Sequence, residues 1–218
     1  SNFSEVMYLL LHGELPNASQ FTQFENNIKN YNFVAEEMKK ILDAFPRSAH
    51  PMGVLSTLTS ALTAFNPRAV NVKSKEDLDH AAEMLIAKFA HLCAWTYRKT
   101  NGFPLNHGDN SLNYVENFYK MTFRKPYEEF EIDPVVVAAL DKLLILHADH
   151  EQNCSTSTVR MVGSAHTGLF ASISAGVSAL WGPLHGGANQ AVIEMLEMIE
   201  KDGGDVAKYV QKAKDKED

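Results

Sequence analysis

The amino-acid sequence predicts an all-α fold, and three observations support this class. Apolar residues recur at spacings of three and four along most segments, which is the periodicity of an amphipathic helix. The period-2 alternation that is typical of strands does not occur, and the sequence contains no internal repeat. Capping residues, glycines and prolines separate the periodic segments. We therefore expect a multi-helical protein, with no composition break that would divide it into two domains.

The first segments can be assigned in chain order. Residues 5–12 form a short apolar segment that a glycine and a proline end, and residues 17–20 offer capping side chains for a helix reaching about Lys29. Residues 32–45 place apolar side chains on one face and predict an amphipathic helix. A proline begins residues 51–65, a charge-free segment rich in Leu, Ala and Thr that we expect to form a buried helix.

A long helix and several shorter ones follow. Residues 66–67 form a turn signal, and Ser74 and Asp77 have the spacing of a capping box at the start of a helix over residues 74–99. Residues 100–110 have the composition of a loop. We expect the remaining helices at residues 111–123, 134–149, 155–180, 186–201 and 204–214.

Residues 161–193 contain no Asp, Glu, Lys or Arg. A transmembrane helix is one interpretation of such a run, but its serines, His166 and Thr167 make it less apolar than membrane insertion requires. Small residues recur at spacings of three and four, which gives a narrow face that another helix can approach closely. We therefore expect a buried helix that is either central to the domain or half of a subunit interface.

Composition and charge argue against several classes of protein. The formal net charge of −7 argues against a nucleic-acid-binding surface, because phosphate contacts need clustered Lys and Arg. Two cysteines form no disulfide framework, which favours a reducing cytoplasm. The N-terminus has neither an initiator Met nor the pattern of a signal peptide, so we expect the sequence to begin inside a longer protein.

Two histidine motifs carry the candidate chemistry. In residues 147–153 (HADHEQN), His147, His150 and Glu151 lie close together at a predicted helix end. Imidazoles three residues apart share a helix face, so a metal site is one interpretation. A third protein ligand is missing, however, and the residues alone favour histidines that are satisfied by hydrogen bonds.

His185 lies in the second motif, residues 181–189 (WGPLHGGAN), in a glycine-rich turn before a helix that begins near Ala188. The positive end of a helix favours the neutral form of an imidazole and can offer backbone N–H groups to developing negative charge. A neutral imidazole can donate one hydrogen bond to a carbonyl oxygen that is becoming an enolate. A tight turn with an incidental histidine explains the same residues equally well, so both interpretations stay open at this point.

The two motifs together resemble the citrate synthase family, and most closely its bacterial, hexamer-forming type II branch. The resemblance rests on residues 147–160 (HADHEQNCSTSTVR) followed by residues 181–189, and it extends through residues 50–52 and 112–118 to essentially the whole chain. It implies an all-α fold with a large and a small domain. It also implies an acyltransferase that condenses acetyl-CoA with oxaloacetate and water to citrate and CoA through an enol or enolate, the first step of the tricarboxylic acid cycle.

The resemblance further implies roles for single residues. His185 matches the catalytic histidine that hydrogen-bonds the acetyl-CoA carbonyl while the methyl group loses a proton. His150 matches a histidine that contacts oxaloacetate, and Asn153 lies in the same motif as a further substrate-binding residue. No cofactor and no metal are expected, and the implied partners are the two substrates and a second copy of the chain packed through residues 155–180.

Other parts of the family's active site have no match in this sequence. A Gly-Phe-Gly-His-Arg-like motif, a catalytic aspartate and the arginines that pair with oxaloacetate are expected after residue 218. We therefore expect residues 1–218 to be a large-domain segment, incomplete at both ends, with the small domain beginning near its C-terminal end. As an isolated fragment it is expected to be inactive.

Three alternatives are kept. A 2-methylcitrate synthase would take propionyl-CoA, a metal-dependent helical hydrolase would use the histidines as ligands, and a helical interaction fragment would self-associate through residues 158–180. The resemblance also bears on regulation, because many members of the type II branch are inhibited by NADH at an Arg-His-Thr run and a cysteine. Residues 30–32 (NYN) and Tyr127 occupy the matching positions here, so this control is not expected.

Overall fold

The computed structural model describes residues 1–148 and 151–215. The described residues form eleven α-helices and one short 3-10 helix, with no strand among them, which confirms the all-α prediction. The helices are α1 (Phe3–His12), α2 (Ala18–Tyr31), α3 (Glu37–Asp43), α4 (Pro51–Phe65), α5 (Lys75–Asn101), α6 (Tyr114–Phe123), α7 (Pro134–Ala148), α8 (Cys154–Gly163), α9 (Leu169–Leu180), α10 (Gly187–Lys201) and α11 (Val206–Asp215), and the 3-10 helix is Pro67–Val70.

Side-chain caps fix where several helices begin. Asn2, Asn17 and Asn113 each accept a hydrogen bond from the N–H three residues ahead, and the Glu or Gln at that position bonds back to the cap. Ser74 caps α5 by accepting from the Asp77 N–H at 3.2 Å, as its spacing predicts. Each cap of this kind contributes about 0.5–2 kcal/mol to helix stability.

The main core lies where α3, α4, α5 and α9 meet. Leu42, Leu58, Trp95 and Phe170, one from each of these helices, have no exposed surface. Complete burial of a side chain of this size stabilises the fold by roughly 1.5–3 kcal/mol. A smaller cluster joins α1 and α2 to α5. Because α9 is packed in the core, the position of its end, where the following turn begins, is fixed.

α3 is shorter than the predicted helix over residues 32–45. The buried face is as predicted, but the chain before Glu37 is held by α5 instead of joining the helix. The Asn32 carbonyl lies 3.0 Å from Nδ1 of His91, and the Phe33 carbonyl accepts a hydrogen bond from Lys88 Nζ. These tertiary hydrogen bonds override the local helical pattern.

The prediction of one helix over residues 155–180 is wrong, because α8 and α9 form an antiparallel hairpin there. The N–H groups of residues 164–166 bond carbonyls of the last turn of α8, and His166 has a left-handed φ of 59°. Gly168 then begins α9 against the 3-10 helix, where an added Cβ would lie 3.2 Å from Val70 Cα. α9 packs between α4 and α8, which accounts for the absence of charge in residues 169–180 of the run.

α7, α10 and α11 have no fully buried residue among those described. Apolar side chains on α10, such as Ile193 and Leu196, are 57% and 52% exposed. No helix in the described part of the chain is both long enough and apolar enough to cross a membrane. The predicted start of a second domain near the C-terminal end stays a prediction.

Candidate active site

The candidate site is built on the start of α8, which follows the first histidine motif. Asn153 caps this helix, because its Oδ1 accepts from the Thr156 N–H at 3.0 Å and lies 3.3 Å from the Thr156 hydroxyl. Its Nδ2 donates to the Glu151 carbonyl at 3.2 Å, and Glu151 has a left-handed φ of 55°. These features fix the direction in which the chain enters α8.

His185 lies in a compact turn between α9 and α10. The Gly186 N–H donates to the Leu180 carbonyl at 2.9 Å, and the Gly187 N–H donates to the Gly182 carbonyl at 3.2 Å. An added Cβ on Gly186 would clash with the Leu180 oxygen, so the turn requires glycine there. Both glycine N–H groups therefore close the turn, which differs from the expectation that they face developing negative charge.

The His185 ring reaches across to the first turn of α8. Its Nε2 lies 2.8 Å from Ser155 Oγ, and the same oxygen lies 2.9 Å from the Gly176 carbonyl oxygen on α9. His185 is half-buried, and its Nδ1 has no hydrogen bond to any residue that the structure describes. Ser155 therefore holds Nε2 and leaves Nδ1 as the nitrogen that can meet a ligand.

The Ser155 hydroxyl carries one hydrogen, so its two contacts define two states of a neutral imidazole. When the hydroxyl donates to the Gly176 carbonyl, His185 donates from Nε2 and its Nδ1 is an acceptor. When the hydroxyl turns to donate to Nε2, the imidazole proton lies on Nδ1, which becomes a donor. The rotation of one hydroxyl group thus accompanies a switch of the free nitrogen between acceptor and donor.

Ser155 reaches both partners because α8 and α9 approach closely at Gly176. An added Cβ on Gly176 would lie 2.6 Å from Val159 Cγ2 and 3.5 Å from the Ser155 carbonyl oxygen. The side chain of valine is stiff at χ1, so it cannot easily make room. Small residues in this run predicted a close helix neighbour, and the structure places α8 there on one side of α9 and α4 on another.

The same turn also contacts α4 through its first residue, Trp181. The indole stacks on the imidazole of His50, with ring centroids 4.9 Å apart and an interplanar angle of 28°. An added Cβ on Gly53 would lie 3.2 Å from two indole carbons. A cleft of about 340 Å³ separates the start of α4 from the start of α10, and Trp181, Gly187 and Asn189 line it.

Two of the three predicted site residues can be placed. Asn153 caps α8, and the His185 ring reaches Ser155 in the first turn of that helix from the turn between α9 and α10, while His150 lies outside the described residues. His147 is exposed, and its Nδ1 lies 2.8 Å from the Leu143 carbonyl oxygen. In the part of the chain that the structure describes, no three His, Cys, Asp or Glu side chains are grouped as metal ligands would be.

No role was predicted from the sequence for three residues that contact each other or His185 in the structure, namely Ser155, His50 and Trp181. Ser155 carried no signal of its own, because only the α8–α9 hairpin brings it to His185. His50 and Trp181 lie far apart in the sequence, so no local spacing connects them. The proline after His50 does mark a helix start, so a capping role for that histidine was open to prediction.

The comparisons with known proteins agree on one family. The family described as citrate synthase, C-terminal domain, matches residues 1–218. Citrate synthase 1 of Mycobacterium tuberculosis is 51% identical over 217 residues, which cover 100% of this chain and 50% of that protein. The citrate synthase of Corynebacterium glutamicum is 49% identical over 219 residues, again covering 100% of this chain and 50% of the relative. The chain thus spans about half the length of these curated relatives.

Solved structures agree. The crystal structure of citrate synthase from Pyrobaculum aerophilum is 33% identical, with a TM-score of 0.79, and the match covers 91% of this chain and 50% of that one. The crystal structure of citrate synthase from Thermotoga maritima is 30% identical, with a TM-score of 0.77, and the match covers 100% of this chain and 55% of that one.

Proposed function

The chain belongs to the citrate synthase family, and from that premise we propose that the protein condenses acetyl-CoA with oxaloacetate. Hydrolysis of the resulting thioester by water releases citrate and CoA, so the activity is that of an acyltransferase that forms a carbon–carbon bond. The observation that carries the proposal is the placement of His185, whose Nε2 is held by Ser155 while Nδ1 has no hydrogen-bond partner among the residues that the structure describes.

In this proposal His185 acts on the thioester carbonyl of acetyl-CoA. With the Ser155 hydroxyl turned to Nε2, the Nδ1–H group donates to the carbonyl oxygen while a carboxylate removes a methyl proton. The developing oxyanion is stabilised by this hydrogen bond, and a single preorganised donor of this kind is worth about 10²–10³ in kcat. The methylene carbon of the enol or enolate then bonds to the ketone carbon of oxaloacetate, whose oxygen takes up a proton.

We propose that Asn153 and His150 contact oxaloacetate. The amide nitrogen of Asn153 carries two hydrogens, and one of them is used in the bond to the Glu151 carbonyl. The second can donate to a substrate carboxylate or carbonyl without disturbing the cap. His150 immediately precedes this capped segment in the sequence, which supports its place beside the same substrate.

The rest of the active site is proposed to lie in the half of the family's length that this chain does not span. It comprises the aspartate that takes the methyl proton, a second histidine and the arginines that pair with oxaloacetate. Residues 1–218 are then mostly large domain, and the isolated chain is inactive. The exposed apolar faces of α10 and α11 support a small domain that begins there.

The proposed chemistry uses a neutral imidazole and a carboxylate, so we propose no metal and no cofactor beyond the substrate acetyl-CoA. We also propose self-association through the region of α8 and α9, which the 75% exposure of Met161 on α8 supports. Membership of the hexameric type II branch stays part of this proposal. Cys93 and Cys154 are free thiols, which supports a reducing compartment such as the cytoplasm.

The test supplies the intact protein with acetyl-CoA and oxaloacetate and follows free CoA with a thiol reagent. We expect CoA release only when both substrates are present, with citrate identified by mass spectrometry. A higher kcat/KM for propionyl-CoA would instead assign the 2-methylcitrate reaction, and loss of activity on metal removal would favour a metal-dependent enzyme. The separate 218-residue chain is expected to show no turnover, and turnover there would disprove the shared active site.

A further inference from the structure

The turn that carries His185 is held at two places, and only one of them involves the imidazole itself. Ser155 on α8 bonds the His185 ring, and Trp181, four residues earlier in the turn, packs on α4. We propose that His50 and Trp181 form a positioning pair that sets where the His185 ring lies relative to Ser155. This inference rests on the proposed function of His185, and both residues act through the turn instead of on the substrate.

His50 is fixed by the backbone of α4 before it meets the indole. Its Nδ1 accepts a hydrogen bond from the Met52 N–H at 3.2 Å, which caps the helix. Because a backbone N–H group can only donate, Nδ1 is unprotonated and the ring carries its proton on Nε2. The orientation of the imidazole is therefore set by the start of a core helix, which makes it a rigid surface for stacking.

The indole of Trp181 is 47% exposed and contacts both this imidazole and the α4 backbone. Two of its carbons would lie 3.2 Å from a Cβ added to Gly53, a separation tighter than ordinary van der Waals contact. An alanine at position 53 would therefore push the indole away from α4. Glycine at this position allows the ring to lie against the first turn of α4, where it can stack on His50.

The indole is coupled to the turn through the backbone on both sides. The Trp181 N–H donates to the Val177 carbonyl at 3.2 Å, which ties the residue to the end of α9. The carbonyl of the preceding residue, Leu180, accepts a hydrogen bond from the N–H of Gly186, the residue directly after His185. This bond closes the turn. The backbone at Trp181 therefore connects the indole to the end of α9 and to the closing bond beside the imidazole.

The position of the His185 ring matters because two requirements meet there. Nε2 has to stay within hydrogen-bond distance of Ser155, and Nδ1 has to reach the substrate carbonyl at the same time. Misplacement of a reacting group by about 1 Å costs on the order of a hundredfold in rate. Without the stack, the backbone bonds of the turn remain, but its contact with α4 is lost.

The test compares Trp181→Ala, Trp181→Phe and His50→Asn in the intact protein. Asparagine is a good N-cap, so His50→Asn keeps the cap of α4 and removes the stacking ring. Tyr127→Ala is the matched control, because it removes an aromatic side chain that is fully exposed at 106%. For each variant kcat, KM, the melting temperature and the NMR signals of the His185 ring are measured.

We expect Trp181→Ala and His50→Asn to lower kcat by about 10- to 100-fold, with KM for acetyl-CoA changed by less than about threefold. The His185 ring signals should shift in both, Trp181→Phe should recover most of the rate, and Tyr127→Ala should change nothing. If kcat stays within about twofold of wild type and the ring signals do not move, the inference is wrong. It is also wrong if Trp181→Phe loses as much rate as Trp181→Ala, because stacking is then not the cause.

The same experiment separates this inference from the proposed function. If the wild-type protein releases no CoA, the proposed function fails, and the His185 ring signals alone decide whether the pair positions the turn. Unmoved signals in Trp181→Ala and His50→Asn would overturn the positioning role, and shifted signals would support it without any turnover.

Discussion

Replacing Gly176 by alanine is expected to push α8 and α9 apart at the point that supports the candidate site. The new Cβ would lie 2.6 Å from Val159 Cγ2, whereas ordinary contact begins at 3.4 Å. The two helices therefore have to separate locally by about 0.8 Å, because neither atom can leave the contact by rotating a flexible side chain. The movement acts on Ser155 as well, since its hydroxyl bonds the Gly176 carbonyl.

The expected change in the free energy of unfolding follows from two opposing effects. Alanine is favoured over glycine in a helix interior by about 1 kcal/mol. Overpacking of a close contact costs about 1–3 kcal/mol, and a separation of about 0.8 Å against a β-branched side chain belongs near the upper end. The net effect of Gly176→Ala is then a loss of about 1–2 kcal/mol in the free energy of unfolding.

The assay is urea unfolding followed by circular dichroism, with Gly163→Ala as the matched control. Gly163 ends α8, and the nearest atom to its added Cβ is 3.9 Å away, so alanine fits there. With an m-value of about 2 kcal/mol/M, Gly176→Ala should lower the midpoint by about 0.5–1 M. Gly163→Ala should leave the midpoint unchanged or raise it. Equal or greater stability of Gly176→Ala would refute the close approach of the two helices.

Three further variants and one inhibition measurement test other residues of the protein. Burial lowers the pKa of His91 to about 4, so below pH 6.5 the unfolded chain binds a proton that the folded chain does not. Stability should therefore fall by about 3 kcal/mol as the pH drops from about 6.5 to 4, and His91→Gln should flatten this dependence in urea titrations. Arg98 is fully buried and its Nη1 donates to the carbonyls of Thr122 and Arg124 at 3.0 and 2.8 Å. Arg98→Met leaves those carbonyls without this donor and should lower the free energy of unfolding by about 3 kcal/mol, which lowers the melting temperature by about 6–12 °C. An unchanged melting temperature would argue against this role of Arg98. Ser155→Ala should lower kcat about 10- to 100-fold at an unchanged KM for oxaloacetate, and a rate within twofold of wild type would count against its role. Addition of NADH to the intact protein should leave the rate of CoA release unchanged, and a loss of that activity would contradict this expectation.

Much of the fold was predictable because its signals are local. Amphipathic spacing and capping residues depend only on neighbours along the chain, so the starts of α2 and α5 and the helical class agree with the structure. The shortening of α3 was not predictable in this way, since it depends on Lys88 and His91, which come from α5. The break after Gly163 was missed because a serine, an alanine and a histidine carry weak stop signals, and the left-handed turn at His166 depends on the hairpin that follows.

Some features of the candidate site were also predictable from the sequence, and others were not. The turn around His185 was predictable from its glycines, but the use of their N–H groups to close the turn was not. The partner of the imidazole, Ser155, is thirty positions away and one of several similar residues in its segment. Family resemblance named His185, Asn153 and His150, and it could not supply the contact that holds Nε2 of His185.

We propose that Nδ1 of His185 stabilises the enolate oxygen of acetyl-CoA, and the variant His185→Gln removes this imidazole. The measurement is kcat for CoA release by the intact protein at saturating substrates, with the melting temperature as a check on folding. We expect His185→Gln to lower kcat by about 10²–10³-fold or more at an unchanged melting temperature. A folded His185→Gln variant that keeps more than about a tenth of the wild-type kcat would contradict the claim.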